Sequence, residues 1–287
     1  AQSVHNHYMV DWFRNRGHEI LFLTDTHDEN LRCETRQIVK RRGGGCFRHL
    51  LAGYRVRAML QEWKPDIVHS HIVTGYGYWA ALSGFKPQVM TAWGSDLLVQ
   101  AEGHPLVKFL ARRAMRQSQL ITADAEMLCA AARNIGGEDL EVRLLQWGID
   151  FDDFDRIWHE PTAQKYRSED FIYLSTRRLR EVYNIDFILH AFALVHHQNP
   201  QTRLVVTGED VMAEPLQALA VELGIQHKVH FTGWMNRDEI VTLCKLADAY
   251  VTVPSSDSTP LSLLEAFAAR LTVIASDLPA YREWITP

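Results

Sequence analysis

Short apolar runs rich in β-branched residues alternate along this chain with segments whose apolar positions recur every three to four residues. In the first half the runs predict strands over 19–24, 66–71, 88–91, 120–123 and 141–145. Helical periodicity fills the gaps over 49–63, 75–82, 105–116 and 125–134, and an amphipathic pattern over 1–16 precedes the first strand. The second half repeats the scheme, with strands over 171–175, 203–207, 228–231, 249–253 and 272–275. Its helices fall over 185–196, 214–223, 236–246 and 260–268. Strand–helix alternation of this kind dictates parallel sheets covered by helices on both faces. The polar stretch 155–170, with Pro161, separates the two repeats. The expected architecture is therefore α/β, with two Rossmann-like domains, 1–155 and 156–287, facing a cleft.

A chain of 287 residues, 47% hydrophobic and 23% charged, suits two globular domains. No uninterrupted apolar stretch is long enough to span a bilayer, and residues 1–16 lack a cleavage-site pattern. The four cysteines (Cys33, Cys46, Cys129, Cys244) show no C-x-x-C pairing. That usage suits a reducing cytoplasm better than a disulfide scaffold or a zinc site. The net charge of −5 hides an asymmetry: 18 basic against 16 acidic residues before position 151, and 12 against 19 after it. Arg36, Lys40, Arg41, Arg42, Arg48, Arg55 and Arg57 lie in one acid-free stretch, which Lys108, Arg112 and Arg116 could extend. Two readings stay open for it, a solvated face or a docking surface for anionic membrane or a phosphorylated, lipid-linked acceptor. Nucleic acid is excluded as a partner by the acidic second half and the absence of a binding motif.

Ligands of open α/β sheets bind beyond the carboxyl ends of the strands, so the segments just after each strand carry the chemistry. After 249–253 comes a Ser/Asp/Thr loop, then Pro260 at the start of a helix. The free amides of that first turn, near Leu261 and Ser262, make an anion site suited to a diphosphate. Glu265 lies one turn deeper, and Asp257 precedes it by eight residues in the loop. Carboxylates so placed can accept hydrogen bonds from sugar hydroxyls; a capped helix with a buried acid is the bland alternative. Asp150, Asp152, Asp153 and Asp155 spell D-x-D twice, a pattern that can hold a divalent cation but here reads as a helix cap. The pairs His5/His7 and His69/His71 read as incidental, so no metal site is expected. No G-x-G-x-x-G follows a predicted strand, which argues against a dehydrogenase.

The run Asp257-Ser258-Thr259-Pro260-Leu261-Ser262-Leu263-Leu264-Glu265-Ala266-Phe267-Ala268 resembles the donor-site signature of the retaining glycosyltransferases of family 4, which have the GT-B fold. Residues 64–71, Gly94-Ser95-Asp96, Trp147-Gly148-Ile149-Asp150 and Arg177-Arg178-Leu179 resemble further family segments in the right order. The resemblance implies retaining, metal-independent hexosyl transfer from a nucleotide-diphosphate sugar, with no cofactor, to a saccharide, lipid-linked or small-molecule acceptor, as in polysaccharide biosynthesis. It implies cytoplasmic work, with peripheral contact at the inner membrane face if the basic segment docks there. It also implies that both ends of the chain are clipped. By motif position, Glu265 would hold the ribose and Asp257 the donor sugar. Arg178, with Arg177, and the amides after Thr259 would meet the diphosphate, Ser258 and Ser262 lying in the same site. Asp96 and His71 would line the acceptor side.

Three departures matter. The first acid of the pair is usually Glu and here is Asp257, the phosphate-binding Lys falls at Tyr183, and a frequent His falls at Trp93. A catalytic His is therefore left open among His5, His7, His69 and His71. The departures also keep a non-catalytic nucleotide-sugar binder in play, along with a relative that epimerises or hydrolyses the donor.

Overall fold

The computed structural model describes residues 4–26, 31–39 and 45–285, with the side chains of residues 4, 5 and 45–50 left aside. Two compact units divide the chain: 1–123 with 128–144, and 124–127 with 145–287.

The first unit opens with helix α1 (Val4–Arg14) and the parallel pair β1 (Leu21–Thr24) and β2 (Glu34–Gln37). Helix α2 (Gly45–Trp63) leads to a parallel four-stranded sheet in chain order: β3 (Val68–His71), β4 (Gln88–Thr91), β5 (Leu120–Ala123) and β6 (Val142–Leu144). Helices α3 (Tyr78–Ser83), α4 (Pro105–Met115) and α5 (Glu126–Gly136) connect its strands. Where one helix was expected over 75–82, the chain makes a π-helical turn, Ile72–Gly77, and then the short α3. β2 was not expected, because its sequence Glu-Thr-Arg-Gln carries no apolar residue; its pairing with β1 supplies what periodicity cannot. Ile38, Val39, Ala52, Val56, Leu60 and Trp79 close one core of this unit.

In the second unit, α6 (Asp152–Arg156) and α7 (Glu160–Tyr166) precede a five-stranded parallel sheet. Its strands are β7 (Phe171–Ser175), β8 (Thr202–Val206), β9 (Val229–Phe231), β10 (Ala249–Thr252) and β11 (Thr272–Ala275), in spatial order β11-β10-β7-β8-β9. Helices α8 (Ile185–Gln198), α9 (Ala213–Glu222), α10 (Arg237–Leu246), α11 (Leu261–Ala268) and α12 (Pro279–Arg282) complete it. The stretch expected to be a linker is thus largely helical. Pro161 does not break α7 because it sits in the first turn, where its missing N–H costs nothing. Phe154 and Tyr166 join Ile172, Leu174, Val241 and Tyr250 in one core, and the second unit takes up the chain from 145 rather than from the expected 156.

The abrupt join at Gly208–Glu209, which looks too short in sequence, is a tight corner. Gly208 has φ +107°, and a Cβ there would stand 2.7 Å from the carbonyl oxygen of Arg177. Only glycine meets both demands, and the corner brings the loop after β8 against the loop after β7.

Candidate active site

The residues expected on the donor side gather beyond the carboxyl ends of β7 and β10. Arg177 leaves β7 and is 9% exposed. Its Nη2 donates to Asp257 Oδ2 at 2.7 Å, its Nη1 donates to Ser262 Oγ at 3.0 Å, and its guanidinium lies 4.2 Å from the centre of the Tyr183 ring. Asp257 also accepts from Tyr281 Oη at 2.9 Å and from the amide of Ser258 at 3.1 Å. Burial alone would lower the pKa of Arg177, but the charge of Asp257 outweighs it and holds the guanidinium charged. Burial likewise drives the Tyr281 phenol upward, with the charge of Asp257 adding to it, so the phenol remains a donor. Tyr183, standing where a phosphate-binding Lys was expected, supplies a ring face to Arg177 instead of a charge.

Arg178, expected as the principal diphosphate cation, is placed differently from its neighbour. Its side chain is 55% exposed and pairs with Asp210 at 3.0 Å, which Arg180 engages at 2.6 Å. Two guanidiniums share one carboxylate there, leaving a local excess of positive charge. Asp210 is held below the usual carboxylate range although its burial pushes the other way, because Arg180, the Val211 amide and Arg178 together favour its charged form.

The helix expected from Pro260 begins one residue later, with Pro260 in extended conformation at its N-cap (φ −83°, ψ 125°). The amides of Leu263 and Leu264 turn back to the Pro260 carbonyl, and those of Leu261 and Ser262 belong to the unpaired first turn. Ser258 and Thr259, placed in the nucleotide site by motif position, are buried with their hydroxyls committed elsewhere. Ser258 Oγ donates to Asp124 Oδ2 at 3.0 Å and Thr259 Oγ1 to the Asp124 carbonyl at 2.7 Å. Burial pushes Asp124 up to about 6, and its Oδ1 has no hydrogen-bond partner. Glu265, one turn into α11, is gripped through Oε1 by Arg237 Nη1, and Arg237 Nε also reaches Asp153 Oδ2 at 3.2 Å. Tyr281, Asp124 and Arg237 had no place in the sequence reading.

Of the acids in the D-x-D stretch, Asp150 accepts from the amide of Asp152 at 3.0 Å, although the N-cap of α6 is Phe151 and not one of the acids, while Asp153 pairs with Arg156 and Arg237. Among the described residues, no group of three His, Cys, Asp or Glu side chains is placed to hold a metal ion.

In the first unit, His69 and His71 alternate along β3 and so lie on one face, with ring centroids 4.4 Å apart. His69 Nε2 meets Thr91 Oγ1 at 2.7 Å, and burial lowers its pKa to about 4, so it is neutral at pH 7. Trp93 Nε1 donates to His71 Nδ1 at 3.1 Å, so the residue standing in for the frequent His orients a neighbouring imidazole. Asp96, expected on the acceptor side, is wholly buried. Its carboxylate accepts from the amides of Val73, Trp93 and Leu97 at 2.7, 3.0 and 3.1 Å, so it pins the loop after β4 rather than facing an acceptor. Burial raises its pKa, against the pull of those amides. The side chain of His5 lies outside the described residues.

Residues 157–287 match the family Glycosyl transferases group 1, and residues 1–125 match Glycosyl transferase 4-like. Each half of the chain thus matches a glycosyltransferase model, and the fold is GT-B. The chain is similar to EpsD of Bacillus subtilis, at 26% identity over 82% of this chain and 65% of that one. It is also similar to the alpha-monoglucosyldiacylglycerol synthase of Streptococcus pneumoniae, at 24% identity over 92% of this chain and 65% of that one. The chain thus spans about two thirds of the length of these relatives. Among solved structures it superposes on Anabaena Alr3699/HepE in complex with UDP-glucose, with a TM-score of 0.81 at 16% identity, over 100% of this chain and 80% of that one.

Proposed function

We propose that this chain transfers a hexose, with retention of anomeric configuration and without a metal, from a nucleoside-diphosphate sugar to a saccharide or lipid-linked acceptor. One observation carries the reading. At the carboxyl end of the second sheet, the first-turn amides of α11 stand with the Arg177–Asp257–Ser262 cluster, and Glu265 follows one turn along. Amides of that kind suit a diphosphate, and the carboxylate of Glu265 suits a ribose diol. Arg178 and Arg180, two cations on one carboxylate, add the charge a departing diphosphate needs. UDP-glucose in the similar HepE structure favours a uridine nucleotide. Metal independence is supported by the engagement of Asp150 and Asp153, which accept a backbone amide and pair with arginines within the protein. Retention is carried by the resemblance of the Asp257…Glu265 spacing to the retaining family.

A lipid-linked acceptor is favoured by the name of the pneumococcal relative and by the surface of α4. That helix exposes Leu106 and Phe109 beside the exposed Arg112 and Arg113, as a helix lying on an anionic surface would. Of the basic stretch read in sequence, Arg36 is answered by Glu34 and Glu62, and Arg55 donates to the carbonyl of Ile38. Lys40, Arg41, Arg42 and the Arg48 side chain lie outside the described residues. No described helix is long and apolar enough to cross a membrane.

Calorimetry against UDP, ADP and GDP and their sugars, without added metal, tests the donor site. Selective binding that Glu265→Ala abolishes supports it, and indifference to every nucleotide refutes it. Binding without transfer or hydrolysis would identify a non-catalytic binder. The anomeric coupling constant of the product decides retention.

A further inference from the structure

The interaction that most alters the expected donor site is the one that grips Glu265. Arg237 opens α10 behind a reciprocal cap: the Asn236 side chain accepts from the Glu239 amide at 3.0 Å, and the Glu239 side chain accepts from the Asn236 amide at 2.8 Å. That cap fixes where the helix starts and therefore where the guanidinium can reach. The Arg237 side chain is 26% exposed, against 14% for Glu265 and 11% for Asp153, and it lies 5.5 Å from the centre of the Phe154 ring. It bridges two carboxylates carried by different elements, Asp153 on α6 and Glu265 on α11. Asp153 has a second cation, Arg156 at 2.7 Å, whereas Arg237 is the one cation paired with Glu265 among the described ion pairs. The two ends of the bridge are therefore unequal. Asp153 would keep a counter-charge without Arg237, and Glu265 would not.

We propose that Arg237 is a positioning residue for nucleotide binding: by taking one carboxylate oxygen of Glu265 it fixes the other for the ribose hydroxyls of a bound nucleoside diphosphate. The inference rests on Glu265 being the ribose acceptor, as argued above. Burial pushes the Glu265 carboxyl up, and the charge and hydrogen bond of Arg237 pull it back, so the same contact keeps the group an acceptor. A guanidinium suits the task because its planar fork fixes direction as well as charge. An ammonium at the same place would supply the charge but not the alignment.

The test is a cycle between protein and ligand. Binding of UDP, ADP and GDP and of their 2′,3′-dideoxy forms is measured by calorimetry on the whole chain, for the unaltered protein and for Arg237→Gln, Arg237→Lys, Asp153→Asn and Glu265→Ala. The unaltered protein is expected to prefer the ribose form of the nucleotide it binds by roughly ten- to a hundredfold, as hydrogen bonds to a charged acceptor do. In Arg237→Gln that preference should shrink to about threefold or less. Arg237→Lys should fall between, and Asp153→Asn should keep the preference. A clamp that merely held α10 to α11 would change stability and leave the ribose preference intact. An Arg237→Gln protein that discriminates as well as the unaltered one overturns the inference while Glu265→Ala still confirms the ribose site. Equal affinity for both forms in the unaltered protein, or no binding at all, overturns the ribose role of Glu265 and the inference with it. If Arg237→Gln does not fold, the Arg237→Lys preference decides: full discrimination by the lysine form refutes the need for a fixed fork.

Discussion

Replacing Arg177 with Met removes a buried cation while keeping most of its aliphatic volume, so the consequence falls on Asp257. In the folded protein that carboxylate has three donors: Arg177 Nη2 at 2.7 Å, Tyr281 Oη at 2.9 Å and the Ser258 amide at 3.1 Å. With the side chains of Arg177 and Asp257 only 9% and 15% exposed, water can replace the lost donor poorly. Removing one partner of a buried pair costs about 3–5 kcal/mol, because a charge is left behind in a poorly solvated place. The lost stacking on Tyr183 adds roughly 1 kcal/mol, and the desolvation that Arg177 itself no longer suffers returns part of the total. About 3–4 kcal/mol of destabilisation is therefore expected for Arg177→Met. Adding Asp257→Asn removes the stranded charge; its one oxygen can accept from the Ser258 amide while its NH2 donates to the Tyr281 hydroxyl, so the double variant should recover about 2 kcal/mol. Urea unfolding checks this, with the transition of the second unit analysed separately because a two-unit chain need not unfold in one step. An Arg177→Met protein within about 1 kcal/mol of the original, or a double variant no more stable than the single, refutes the claim that Arg177 is held by a stabilising buried pair.

Three further outcomes follow from the same geometry. Gly208→Ala meets both a left-handed φ and the carbonyl of Arg177 at 2.7 Å, and should cost about 2–4 kcal/mol in urea unfolding while loosening the loops after β7 and β8. His69 has its pKa lowered from 6.5 to about 4, so its contribution to stability is complete above 6.5 and is lost as pH falls towards 4. That loss should reach about 3 kcal/mol in the first unit, and His69→Leu should flatten the profile. Asp124 has its pKa raised from 3.8 to about 6, so the sign reverses: its contribution is complete below 3.8 and is lost as pH rises through 6. Asp124→Asn should therefore gain about 1.5 kcal/mol on the original between pH 5 and pH 8, and about 3 kcal/mol counted from pH 3, read from unfolding curves of the second unit.

The fold was legible wherever burial writes itself into composition. The strands Gln88–Thr91, Leu120–Ala123, Phe171–Ser175 and Thr272–Ala275 are apolar or β-branched runs bounded by polar residues, and each forms where the pattern places it. The elements that escaped have no such mark. β2 is held by pairing with β1 rather than by buried side chains, and α7 hides behind Pro161, which marks a linker in mid-segment but suits a helix in its first turn. The site was legible only as loops. Chain order brings Asp257, Ser262 and Glu265 beyond β10, yet the partner each acquires depends on side-chain direction, which spacing leaves open.

Arg177 and Arg178 are the sharpest case. They are adjacent and identical in type, so as a local pattern nothing separates them. At the end of an extended strand, however, successive side chains point to opposite sides. One of them turns inward to Asp257 and the other outward to Asp210, and this single alternation decides which guanidinium is buried. Arg237 is harder still, because the residue it serves lies 28 positions later on another helix. Its only local signature is the cap of Asn236 and Glu239, which announces a helix start and gives no hint that the next side chain reaches the carboxylate of Glu265. Partner choice in such a site is a property of the packed sheet, and it becomes readable once strand direction and helix start are both known.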